Sequence, residues 1–139
     1  MIEDIAFLDG VDPADHAATE KNTGYVAFDK YKKLCFMIHA GALAGTLDVD
    51  IEESKDTSGT GLQNLAGKTT TQWAATDDGK VKMVYVDENE LSVGYRYVRC
   101  ELTPIGAGAN FAAVCVVGLI PRYEPVDDHD ATVVAQIIR

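Results

Sequence analysis

The residues with the best claim to chemistry lie between Gly45 and Trp73, in GTLDVDIEESKDTSGTGLQNLAGKTTTQW. GLQNLAGKT, Gly61 to Thr69, is close to a phosphate-binding loop, but five residues separate Gly61 from Gly67 where that motif has four. Its context is also wrong. Phosphate binding needs a hydrophobic strand before the loop and a helix N-terminus after it, whereas polar residues precede this one and Thr69, Thr70, Thr71 and Trp73 favour a strand. LDVDIEE sets Asp48, Asp50 and Glu52 two apart, as a calcium loop or a carboxylate pair would. A calcium loop needs Gly at its sixth position and Glu at its twelfth, and the chain has Glu53 and Gly59 there. Residues two apart on a strand share one face, so these acids read as the solvated side of a half-buried strand.

No other constellation replaces these. His16, His39 and His129 stand in three separate segments with no HxH or HExxH, so no metal-ligand set is expected. Ser54, Ser58 and Ser92 lack a nucleophile-elbow context. Cys35, Cys100 and Cys115 each sit in an apolar run and read as small buried hydrophobes in a reducing compartment. Trp73, Tyr85, Tyr95 and Tyr97 suit core packing first, then a protein interface, then stacking on sugar rings. The expectation is no enzyme activity, no catalytic residue, no cofactor and no metal. The polar loop Asp56, Thr57, Ser58, Gly59, Thr60 and Gly61 is expected to be a connection first and a protein-contact loop second.

The elements that must position these residues are strands. Tyr25–Phe28 gives the first signal, followed by Tyr31–Ala40, with Leu34, Phe36 and Ile38 on one face. Gly41 to Gly45 reads as a turn, and Gly45–Ile51 alternates Leu47, Val49 and Ile51 against the acids. Gly67–Thr76 reads as a second extended run ending at a hairpin turn, Asp77-Asp78-Gly79. Lys80–Val86 and Tyr95–Thr103 alternate again, on either side of a helical turn or wide connection at Asp87–Leu91. Phe111–Ile120 is almost continuously apolar, as a strand buried on both faces would be. The pattern predicts an all-β fold, a jelly-roll-like β-sandwich over residues 25–121. Residues 1–24 read as an irregular N-terminal arm, and residues 122–139 as a connector with a terminal strand, ATVVAQIIR.

Composition narrows the partners. The chain has 139 residues, enough for one core, and 12 Lys plus Arg against 22 Asp plus Glu leave a formal charge of −10. Such a surface repels phosphate backbones, so no direct contact with nucleic acid is expected. The longest apolar run, Phe111 to Pro121, is about half the ~20 residues of a spanning helix, and the acidic start MIEDIAFLDG is unlike a signal peptide. No membrane association is expected.

Taken together, TLDVDIEESKDTSGTG…GKTTTQW, then YRYVRCELTP, then GLIPRYEP resemble the cement, or decoration, proteins of tailed-bacteriophage heads, specifically the jelly-roll type on the Bordetella phage capsid. The resemblance spans residues 36–125 and rests on ordered segments without a catalytic signature. It implies a virion protein, made in the host cytoplasm, that sits on the outer capsid surface. Its implied partners are the major capsid protein and further copies of itself, as a homodimer or higher oligomer. The competing readings are a head–tail or tail structural protein and a sugar-binding sandwich module.

Overall fold

The computed structural model describes residues 5–122, so most of the expected C-terminal segment and residues 1–4 lie outside the described residues. Among the described residues nine strands form: β1 (Ile5–Asp15), β2 (Lys21–Asn22), β3 (Val26–Ala27), β4 (Tyr31–Leu43), β5 (Thr46–Ser54), β6 (Gln63–Asn64), β7 (Val81–Asp87), β8 (Tyr97–Ile105) and β9 (Asn110–Pro121). They build two sheets. One has four strands in the order β1-β9-β4-β7; the other has the order β2-β8-β5-β6, with β3 also on β8. Every ladder is antiparallel. The expected all-β sandwich is what the chain forms.

The strand period of two explains the core. Leu34, Phe36 and Ile38 of β4, Val86 of β7, and Val114 and Val116 of β9 face inward from the four-stranded sheet. Leu47, Val49 and Ile51 of β5 meet them with Val98, Cys100 and Leu102 of β8, all in one buried cluster. The DENEL segment is a 3-10 turn, Glu88–Glu90, closed by a capping box between Asp87 and Glu90.

Three expectations change. Residues 5–22, read as part of an irregular arm, form β1 and β2. Two register shifts in β1, at Phe7/Asp9 and Val11/Ala14, break the alternation that would have revealed it. Gly67–Thr76 is not a ladder strand. It carries only the single bridge of Trp73 to Leu47 and a short 3-10 turn, Ala75–Asp77, so Asp77-Asp78-Gly79 leads from that segment into β7 and closes no hairpin. Gly79 does supply the positive φ, +74°. β9 is central, and its outer face is covered only in part, at buried Val117. Its inner face is buried, while Phe111, Ala113, Cys115 and Leu119 on the outer face are exposed or half-exposed.

Trp73 is fully buried and closes the side of the sandwich between β5 and β7. Its backbone N–H donates to the Leu47 carbonyl at 2.9 Å and its carbonyl accepts from Leu47 at 3.1 Å. Lys82 Nζ, from β7, lies 4.2 Å from the indole centroid. Replacing Trp73 by Ala is expected to destabilise the fold by about 3–5 kcal/mol, read as a lower urea midpoint at unchanged slope. Lys82→Met, which removes the cation together with its hydrogen bonds to the Thr71 carbonyl and hydroxyl, should cost about 1–2 kcal/mol. Equal losses from the two changes would contradict this account.

Candidate protein-contact face

The outer face of the four-stranded sheet is apolar. Antiparallel register sets its side chains in rows across the strands. Val117, Cys35 and Tyr85 form one row, Cys115, Met37 and Met83 the next, and Ala113, His39 and Val81 a third. Exposure rises toward the β7 edge, where Val81, Met83 and Tyr85 are 53%, 56% and 47% exposed. No Asp, Glu, Lys or Arg stands in these three rows, in a chain of net charge −10. Lone exposed apolar residues need no explanation, but a contiguous charge-free patch marks an interaction surface.

The face is ridged at β7 and hollow toward β1. Bulged β1 residues Asp9 to Pro13 wall a groove of about 680 Å³ whose floor includes Met37, Ala113 and Cys115. Gly10 pairs with Cys115 of β9 at a close approach of the two backbones: a Cβ there would come within 2.7 Å of the Val114 carbonyl oxygen. The close pairing of the bulged β1 with β9 therefore depends on glycine. Burial raises the thiols of Cys35 and Cys115 above the ordinary cysteine range.

The outer face of the other sheet is the opposite in character. Asp48, Asp50 and Glu52 of β5 lie across from Thr103, Glu101 and Arg99 of β8. Each of the three acids on β5 already has a partner. Gln72 Nε2 donates to Asp48 at 2.9 Å, the Thr69 hydroxyl donates to Asp50, and Arg99 Nε donates to Glu52 at 2.6 Å. Among the described residues no group of three His, Cys, Asp or Glu is placed to hold a metal ion. Glu52 departs from the expected solvated face: it is buried against Arg99. Glu101 feels desolvation, then Glu52 and Glu20, and its carboxyl is raised above the usual range.

The expected contact loop is a tight polar turn. The Asp56 carboxylate accepts from the backbone N–H of Ser58 at 2.8 Å and of Thr60 at 3.0 Å, and the Thr60 hydroxyl, followed by these backbone bonds, holds its pKa below the usual range. Thr57, Ser58, Thr60 and Gly61 are exposed around it, and Gly59 takes a φ of +84° under the Tyr25 hydroxyl. Tyr95 donates to the Gly61 carbonyl at 2.8 Å, so that hydroxyl locks the loop from outside. Nothing brings this loop to the apolar face.

The remaining candidates are structural. His16 is buried and donates from Nε2 to the Ala112 carbonyl at 2.9 Å. His39 is exposed on the apolar face, and His129 lies outside the described residues. Trp73 is inside, so it offers no platform to a sugar ring. Sequence reasoning missed the apolar face as a site, although its signal was the unbroken apolar run of β9, whose second face this chain leaves uncovered.

Two measurements probe the acidic sheet. Because the Glu101 carboxyl is raised, its ionised form opposes folding above its unfolded pKa, and protonation relieves that cost as pH falls through the folded value. Glu101→Gln is expected to stabilise the protein at pH 7, with the gain shrinking on acidification; a loss at pH 7 would refute the assignment. Glu53 is 1% exposed and accepts from Ser92 N at 2.8 Å, from the Ser92 hydroxyl and from Gln63 Nε2 at 2.6 Å. Glu53→Ala strands those donors and should cost about 2–3 kcal/mol by chemical denaturation.

No protein-family model matches the chain, and no curated protein matches it in sequence. Its function is argued from these two faces.

Proposed function

We propose that this chain is a non-enzymatic structural protein of a virion. It decorates the outer surface of a phage capsid and stabilises the shell by linking neighbouring capsomers. The observation that carries the reading is the contrast between the faces: one sheet presents three central rows without a charged residue, the other a surface of carboxylates. Apolar area supplies adhesion to protein, and an acidic side is suited to the outside of a shell, away from packaged nucleic acid. Partners are the major capsid protein and further copies of this chain.

The strand order supports a jelly-roll winding. The chain passes from one sheet to the other at each connection except β2 to β3 and β5 to β6, which gives β1-β9-β4-β7 facing β2/β3-β8-β5-β6. Such a protein acts by repetition. Each copy adds a modest interface, and a symmetric lattice multiplies it.

Adding the purified protein to expanded shells that lack it is expected to raise their disruption temperature. The particles should carry copies in proportion to the capsid protein. No binding and no shift would refute the proposal. A count of about six or twelve per particle would point instead to a ring at the head–tail junction or tail.

A further inference from the structure

We propose that residues 131–139 of this chain, ATVVAQIIR, return along the outer face of β9 and fill the hollow beside β1. That segment lies outside the described residues. The inference concerns the purified protein and does not rest on the capsid reading.

The face is covered in one place and open in the next. Val117 of β9 and Cys35 of β4 stand opposite each other on it and are 5% and 4% exposed, yet neither belongs to the core cluster between the sheets. One row farther along, Cys115 and Met37 are half-exposed, and Phe111 at the far end is 42% exposed. Val117 lies toward the end at which the chain leaves β9, where Pro121 pairs with Tyr31. Among the described residues, cover is thus present on the exit side and missing over the hollow. Every residue that β9 turns outward between Phe111 and Leu119 is apolar, the pattern of a strand built for burial on both sides.

Length, apolarity and charge select the chain's own continuation as the cover. Leu119 and Phe111 are about 27 Å apart along the strand, and residues 131–139 reach about 30 Å when extended. The connector, residues 123–130, spans up to about 28 Å, ample for the reversal that brings the segment back over β9. ATVVAQIIR carries no acid, and its Val and Ile side chains suit a hollow of about 680 Å³ floored by Met37, Ala113 and Cys115. Charge sets the direction. Glu124, Asp127, Asp128 and Asp130 all precede the apolar segment, and Arg139 ends it. Lys32 and Lys33 stand at the start of β4, beside the exit from β9, whereas Asp9 and exposed Asp12 wall the hollow. The connector acids therefore stay near lysines, and Arg139 arrives near Asp12. β7 lies two strands from β9, about 10 Å away, so Met83 and Tyr85 remain open to a partner.

Modification of the full chain by N-ethylmaleimide, followed at each cysteine by mass spectrometry, tests the proposal. Cys115 is the thiol on the floor of the hollow, and Cys100, fully buried in the core, is the reference. Ile137→Asp together with Ile138→Asp should accelerate Cys115 roughly tenfold and leave Cys100 unchanged. No acceleration, or equal acceleration of both thiols, would overturn the placement. The Cys115 rate of the unaltered chain should stay constant between roughly 1 and 100 µM protein. A rate that falls with concentration would assign the cover to a second copy and overturn the proposal. Asp12→Lys and Arg139→Asp should each accelerate Cys115 several-fold at low salt, and the double variant should recover most of the protection. Additive effects would overturn the direction of the segment. No shell enters these measurements, so their failure leaves the capsid reading standing, and the reverse holds.

Discussion

The structure depends on how the outer edge of β5 is sealed. β5 pairs with β8 on one side, and its other side presents the backbone of Leu47, Val49 and Ile51, the same residues whose side chains build the core. The chain returns along that edge from Gln63 to Trp73. Gln63 and Asn64 pair with Glu53 and Glu52, and then Leu65, Thr70 and Trp73 donate in turn to the carbonyls of Ile51, Val49 and Leu47. Leaving those three carbonyls unmet in a buried setting would cost about 3–9 kcal/mol. That is comparable with the whole stability of an ordinary domain, about 5–15 kcal/mol. The segment is irregular because it does two jobs. It meets the β5 backbone at intervals and, between those points, turns Leu65 and Trp73 into the gap between the sheets.

A second constraint holds the far end. Asn110 is buried and uses every polar group it has. Its side-chain carbonyl accepts from Gly45, its amide donates to Ala17 at 2.9 Å, its backbone N–H donates to Asp15 and its carbonyl accepts from His16. One side chain thus joins the β4–β5 turn, the residues after β1 and the start of β9. With Glu53 fixing Ser92 and Gln63 on the other side, the connections between the sheets are tied by polar groups whose partners are all met.

How much of this could be read from residues alone depended on whether local pattern and tertiary role agreed. They agree in β4, β5 and β8, where alternation and burial coincide, and the all-β sandwich follows from them. They disagree in β1, because an edge strand that carries Asp9, Asp12, Pro13 and Asp15 looks like a loop. They disagree again from Gly67 to Thr76, where Thr-rich composition favours a strand but the chain must break its ladder to bury Trp73. The loop Asp56–Gly61 was legible as a loop, since Asp and Gly at its turning points carry their own hydrogen bonds and positive φ. The apolar face was visible only as a surplus, one more hydrophobic face on β9 than a single sandwich can bury.

That surplus gives the molecule a direction. Copies approaching through their carboxylate-bearing sheets meet like charge with like charge. The acids on β5 are already held by Gln72, Thr69 and Arg99, so they have little freedom to rearrange. Copies or partners approaching through the other sheet meet methionine, valine and cysteine, side chains that lose little on leaving water and adapt in shape. The same folding that hides one apolar face of each sheet leaves the second face of only one sheet apolar in its central rows. Selectivity therefore arises from the sandwich itself: repulsion guards one side, and the side left open is the one whose central rows carry no charge.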